Sequence, residues 1–186
     1  VAHGVEKVRL TGGEPLVRSE LERLVAMLAA LQGVEEIMLT TNASLLAEKA
    51  ALLRQAGLQR LNISLDSLDD AVFQKMNGER ASLERVLDGI AAAEAAGFSP
   101  LKINTVVMRG INDHTIVDVA RHFRERGHIV RFIEYMDVGT LNGWQPEHVM
   151  SFAEMVAAID RELPIEPLPP NYAGEVVRRF RYKDGS

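Results

Sequence analysis

The sequence predicts an α/β fold: parallel strands forming a partial, TIM-like barrel with helices outside it, then a C-terminal edge strand. Three observations lead there. Apolar runs of strand length alternate with helical periodicities five times along the chain, and such alternation yields a parallel sheet covered by helices. The G-x-G-x-x-G fingerprint of an open doubly wound sheet is missing. Polar residues gather at the strand ends, as Thr11-Gly12-Gly13-Glu14, Thr40-Thr41-Asn42, Ser64 with Asp66, and Glu134 with Met136. Those are the carboxyl ends where barrels place their sites.

Val5, Val8 and Leu10 supply the first strand, and Gly12-Gly13 breaks it. Two glycines at a strand end leave bare backbone that a ligand can approach closely, with the Glu14 carboxylate beside it. Ser19 is placed as an N-cap with Glu22 three residues on, and Leu21, Leu24, Val25, Leu28 and Leu31 repeat at helical spacing. A helix is therefore expected over 20–32, closed by Gly33. A strand over 35–40, a helix over 45–56 and a strand over 61–65 follow, then helices over 69–76 and 82–96 separated by Asn77-Gly78. The pattern repeats with a strand over 101–108, a helix over 115–126 and a strand over 129–135. The loop 137–149 is long enough to suspect a lid or binding loop. A last helix, 150–161, leads through the Pro-rich LPIEPLPP linker to an edge-like strand over 175–182.

The 186 residues can bury one sizeable core, and 47% hydrophobic with 25% charged residues is an ordinary globular balance. Residues 1–163 are expected to form the barrel portion, and 164–186 the linker and the start of a C-terminal region. A first residue that is not Met and a final Asp184-Gly185 turn signal suggest a piece of a longer protein. A net charge of −5 argues against a nucleic-acid platform. No apolar run approaches the ~18 residues of a membrane span, and no signal peptide is visible, so a cytoplasmic protein is expected.

With no cysteine, the chain by itself can form no disulfide or thiolate metal site. The five histidines are scattered without metal-binding spacing, and His122 and His128 are expected at the surface. Ser64 lacks the G-x-S-x-G elbow of a hydrolase nucleophile.

Charged residues inside strands are more telling. Lys102 and Asn104 share one face of LKINTVVM, and Ile103 and Thr105 share the other. Arg131 shares a face with Ile133 and Tyr135, while Glu134 shares the opposite one with Phe132 and Met136; Arg9 sits similarly in VRL. Cations in helix-covered strands are expensive unless paired or facing a polar ligand. Arg9, Lys102 and Arg131 could converge on one anion such as a polyphosphate, or form separate ion pairs with Glu14, Asp66 and Glu134. The residues alone leave both readings open.

VRLTGGEPLVR, TTN, NISLDSLD followed by Phe73 and Asn77-Gly78, KINTVVMRGIND and RFIEYMDVG occur in one order. In that order they resemble the molybdenum-cofactor biosynthesis protein A family, the GTP 3′,8-cyclases, from about Gly4 to Tyr182. The resemblance implies a radical S-adenosylmethionine enzyme. Its S-adenosylmethionine binds a [4Fe-4S] cluster through the amino and carboxylate groups, and cleavage gives a 5′-deoxyadenosyl radical. That radical takes a hydrogen atom from the ribose of GTP. The sugar radical then closes on the base to give (8S)-3′,8-cyclo-7,8-dihydroguanosine 5′-triphosphate, which a second pathway enzyme consumes.

By matching positions, the resemblance assigns Gly13, Glu14, Ser64 and Met136 to S-adenosylmethionine, and Arg9, Thr40 and Lys102 to GTP. Lys7 and Arg131 would be further phosphate contacts, and no catalytic residue is assigned. A homodimer is compatible with the family. The family's cluster-binding cysteines are absent from this stretch, so the stretch alone is expected to lack radical activity. Ala43-Ser44 follows TTN where the family usually has Gly. Another radical S-adenosylmethionine maturase and a cluster-free nucleotide-binding barrel are the alternatives.

Overall fold

Strand β1 (Lys7–Leu10) is followed by β2 (Glu36–Thr41), β3 (Arg60–Ser64), β4 (Lys102–Val107) and β5 (Ile129–Glu134). In the computed structural model, which describes residues 4–78, 81–136 and 145–185, they form one sheet in the order β1-β2-β3-β4-β5. Every neighbouring pair is parallel. Helices α1 (Leu21–Ala29), α2 (Ala50–Gln55), α3 (Asp70–Asn77), α4 (Leu83–Ala95) and α5 (Ile116–Glu125) lie in the connections, and α6 (Phe152–Glu162) follows β5.

Period-two alternation gives the sheet two unlike faces. In β2, Ile37, Leu39 and Thr41 are buried while Glu36, Met38 and Thr40 are half-exposed. In β4, Ile103, Thr105 and Val107 are buried while Lys102, Asn104 and Val106 are half-exposed. The buried rows join Leu21 and Val25 of α1, Leu53 of α2, Val86 and Ile90 of α4 and Phe123 of α5 in one core. A doubly wound sheet is covered on both faces. Here the described helices build their core against one, which leaves the polar face open and makes the fold barrel-like.

A second cluster joins Val107, Ile116, Ala120, Met150, Met155, Ile159 and Leu163, with Ile165 and Tyr182 packed against it. Its last two members belong to β6 (Ile165–Leu168) and β7 (Arg179–Tyr182), which pair antiparallel in a separate two-stranded sheet. Part of the expected LPIEPLPP linker is thus a strand. Pro167 is tolerated because a two-stranded sheet leaves each strand an outer side that needs no donor. The edge strand expected from 175 begins only at Arg179.

Other local expectations shift for identifiable reasons. Helix α1 has Glu20 at its N-cap, in a left-handed conformation (φ 52°) with no side-chain cap, and Ser19 does not cap it. The residues before it form a 3-10 turn, Pro15–Val17, capped instead by Glu14. Residues 44–49 are turns, with Leu46 N–H donating to Ala43 O and Lys49 N–H to Leu46 O, so α2 begins late. The N-caps Asp69 and Ser82 do as their sequences suggest, accepting from the amides of Val72 and Arg85. Most of the loop 137–149 lies outside the described residues; of it, Pro146–His148 form a 3-10 turn.

His128 is buried, not at the surface. Leu101 N–H donates to its Nδ1 at 3.4 Å, so Nε2 carries the proton and donates to Glu94 Oε1 at 2.6 Å. Burial pushes the Glu94 carboxyl up, but its pairing with Arg126 and the His128 hydrogen bond outweigh that and hold it below the ordinary range. No helix among the described residues is long and apolar enough to cross a membrane.

Candidate functional site

The strand register lines up the open face in staggered rows. Lys7 neighbours Glu36; Arg9, Met38 and Arg60 form the next row. Thr40, Asn62 and Lys102 form the third, and Ser64, Asn104 and Arg131 the fourth. Every basic residue singled out in the sequence therefore lies on one face, together with Thr40 and Ser64.

The cations of this face act on one another. The Lys102 ammonium is depressed below its ordinary value, first by burial and then by the positive charges of Arg131, Arg60 and Arg9; Glu36 acts in the opposite direction. Arg9 Nε lies 3.1 Å from Met38 Sδ. The separate ion pairs that could have explained these residues are not formed. Glu14 accepts from uncharged donors, Asp66 from the Val106 amide and Glu134 from the Phe152 amide. Among the described residues, Arg9, Lys102 and Arg131 enter no ion pair with these three acids. The three cations instead share the open face of the sheet.

Glu14 ties the first two strand ends together. Its Oε1 accepts from Leu16 N at 3.0 Å and Thr41 Oγ1 at 2.6 Å, and its Oε2 accepts from Asn42 N at 2.8 Å. A carboxylate offers about four acceptor positions, so one remains on Oε2. Beside it, Gly12 has φ +143° and Gly13 has no heavy atom near its missing Cβ, which keeps the backbone approachable.

The turn after β2 is unusually constrained. Asn42 Oδ1 accepts from the amide and hydroxyl of Ser44, and the fully buried Ala43 holds φ 61°. That left-handed conformation favours glycine over alanine. Gly89 of α4 lies directly against it, since a Cβ there would stand 2.3 Å from the Ala43 carbonyl oxygen.

The ends of β3 and β4 are joined by a buried asparagine that sequence reasoning missed. Asn112 Nδ2 donates to the carbonyls of Asp66 and Val106, each at 2.8 Å, while its Oδ1 accepts from Met108 N at 2.7 Å. Burial pushes the Asp66 carboxyl above its ordinary range, partly offset by the Val106 amide. Ser64 is exposed at the end of β3, and Met136, two residues past β5, is 57% exposed. Next to Ser64, the buried Oδ1 of Asn104 has no hydrogen-bond partner. An orphaned buried acceptor is costly unless a ligand donor reaches it.

Glu36 and Arg60 were also missed, although alternation with Met38 and Thr40, and with Asn62 and Ser64, could have placed both on the open face. No cluster of three or more His, Asp or Glu side chains suited to a metal ion occurs among the described residues.

Comparison with known proteins agrees with this architecture. The chain is 54% identical over 182 residues to a GTP 3′,8-cyclase of Acidothermus cellulolyticus, covering 98% of this chain and 50% of that protein. It is 50% identical to a GTP 3′,8-cyclase of Xanthomonas axonopodis pv. citri, over the whole chain and 56% of that protein. The chain thus spans about half the length of the curated relatives it matches. Two solved structures share the fold at low identity. Coproporphyrinogen III oxidase (HemN) from Escherichia coli has a TM-score of 0.63 at 15% identity, covering 84% of this chain and 39% of that one. A domain of pyruvate-formate lyase-activating enzyme from Bacteroides vulgatus has a TM-score of 0.60 at 21% identity, covering 83% and 92%. The Radical SAM superfamily model matches residues 1–123. The chain belongs to the radical SAM superfamily.

Proposed function

We propose that this chain is the central barrel portion of a cytoplasmic GTP 3′,8-cyclase of molybdenum-cofactor biosynthesis. The observation that carries the reading is the set of cations gathered on the open face around Lys102. An anion-recognition face beside the Gly12-Gly13-Glu14 turn suits a triphosphate substrate next to S-adenosylmethionine. In this reading Arg9, Thr40 and Lys102 hold GTP, with Lys7 and Arg131 as further phosphate contacts. Opposite charge drawn into a partly desolvated face is held far more strongly than in water.

Gly13, Glu14, Ser64 and Met136 hold S-adenosylmethionine. The open backbone at Gly13, the remaining acceptor position on Glu14 and the orphaned Asn104 Oδ1 near Ser64 suit its ammonium and hydroxyl donors. When bound, S-adenosylmethionine supplies hydrogen-atom abstraction from the GTP ribose; the residues of this chain orient the two molecules against each other. The residues present do not fit an iron–sulfur cluster, because the chain has no cysteine. Cluster ligands therefore come from the part of the relatives' length that this chain does not span, and the stretch alone lacks radical activity. Residues 164–186 begin the following region, a second enzyme takes up the cyclised triphosphate, and a homodimer is compatible with the reading.

The test is anaerobic reconstitution of the full-length protein with iron, sulfide, S-adenosylmethionine and GTP. Formation of the cyclised nucleotide, with Lys102→Met weakening GTP binding at least tenfold, is expected. No cyclised nucleotide from a cluster-loaded protein, or GTP binding untouched by Lys102→Met, overturns the proposal.

A further inference from the structure

Among the described strands, the open face carries five cations, Lys7, Arg9, Arg60, Lys102 and Arg131, and a single carboxylate, Glu36. Glu36 lies at the amino end of β2, in the first row of that face. In register it neighbours Lys7, its Oε1 accepts from Arg60 Nε, and its charge reaches Lys102. The Glu36 side chain is only 19% exposed, whereas Arg60 is 52% exposed. An exposed surface pair would be worth little. This pair lies instead within the electrostatic field of the other cations, where its charge is felt by any anion that binds.

Resting on the reading of this face as the GTP triphosphate site, we propose that Glu36 is an internal counter-ion that limits how tightly the face holds polyphosphate. It keeps Arg60 engaged and opposes the field of the remaining cations. GTP and its cyclised product both carry a triphosphate, so a face with five unopposed cations would retain product as firmly as substrate. Binding energy common to substrate and product does not accelerate turnover. The Glu36 carboxylate lowers that common term.

The experiment is titration of the full-length protein with inorganic tripolyphosphate and orthophosphate, comparing the parent with Glu36→Gln, Arg60→Met, the double variant and Lys102→Met. Removing this negative charge is expected to tighten tripolyphosphate binding by about fivefold or more, the Coulomb gain being reduced by salt screening. The gain for orthophosphate is smaller, because the effect scales with ligand charge. Arg60→Met leaves Glu36 unpaired and weakens binding by about fivefold, and the double variant returns to within about twofold of the parent.

A purely structural Glu36–Arg60 pair would change unfolding midpoints without this charge-dependent shift in affinity, which would overturn the proposal. A double variant more than about tenfold weaker than the parent would mean that Arg60 itself grips phosphate, which also overturns it. If Lys102→Met has no effect on tripolyphosphate binding, the triphosphate reading of the face fails. If Lys102→Met weakens binding but Glu36→Gln does not strengthen it, only the counter-ion proposal fails.

Discussion

The Thr41 hydroxyl donates to the Glu14 carboxylate at 2.6 Å, and this contact joins the turn after β1 to the end of β2. The same carboxylate caps the Pro15–Val17 turn and receives the Asn42 amide. A carboxylate beside the open Gly12-Gly13 backbone is therefore fixed by three protein donors.

Glu14→Gln replaces one acceptor oxygen with an NH2 group, which must face either the Asn42 amide or the Thr41 and Leu16 donors. Losing charge-assisted hydrogen bonds and opposing two donors is expected to destabilise the fold by about 2–3 kcal/mol. Urea unfolding of the full-length protein measures it, and an unchanged midpoint would contradict the network.

On the proposed reading of the open face, nucleotide binding is expected to depend on pH through Lys102. Its folded-state pKa lies below the ordinary 10.5, so in the unliganded fold its charged form is disfavoured. Stability contributed by this group therefore rises as pH climbs through the lowered folded pKa towards 10.5. A bound polyanion favours the charged form, so binding takes up a proton and affinity falls as pH rises through the free-state pKa. Calorimetry in two buffers of different ionisation enthalpy detects the uptake. Lys102→Arg is expected to abolish both the uptake and the fall in affinity over that range.

Gly89→Ala opposes two effects of different size. Alanine favours a helix interior over glycine by about 1 kcal/mol. Its Cβ, however, would stand 2.3 Å from the Ala43 carbonyl oxygen, on backbone that cannot rotate away. Overpacking of this kind costs about 1–3 kcal/mol, at the upper end where backbone is struck, so net destabilisation is expected. Thermal unfolding decides the sign. Ala43→Gly should stay within about 1 kcal/mol of the parent, since relief at φ 61° offsets the lost methyl and the freer unfolded chain.

Arg109 and Glu154 predict local acid sensitivity. Arg109 Nη2 donates to both Glu154 oxygens, at 2.7 and 2.8 Å, and its Nε and Nη2 also reach Val149 O. The Arg109 guanidinium and then Ser151 hold the Glu154 carboxyl down to about 2 from an ordinary 4.5. What this exposed group contributes is present above 4.5 and is lost as pH falls from there to about 2. Faster amide exchange in residues 151–155 over that window is expected, and Glu154→Gln should show it already at neutral pH.

Much of this arrangement was legible because strand alternation is a strict code. Lys102, Asn104 and Arg131 interrupt apolar strands, and only a polar face accommodates them. Arg60 escaped because the third strand was read from Leu61, one residue late. Ser19 carried a sound local cap signal, but Glu14 had already committed the preceding turn. Asn112 and His128 were invisible for a different reason. Their partners, Asp66 and Val106 for one and Glu94 and Leu101 for the other, are brought to them by tertiary packing, which no local pattern announces.

Sheet order and chain order coincide from β1 to β5. A polypeptide emerging from the ribosome therefore always finds the neighbour of each new strand already made, because no strand must wait for a later one to fill a gap. Each pairing is the shortest loop closure this strand order permits, although parallel pairs still close across a helical crossover. The cations of the open face are assembled in the same sequence, and Arg131 is the last to arrive. The proposed anion site is thus complete only when the fifth strand docks, so nascent chains stalled before Ile129 are expected to contain paired strands yet hold tripolyphosphate less tightly than the full-length protein.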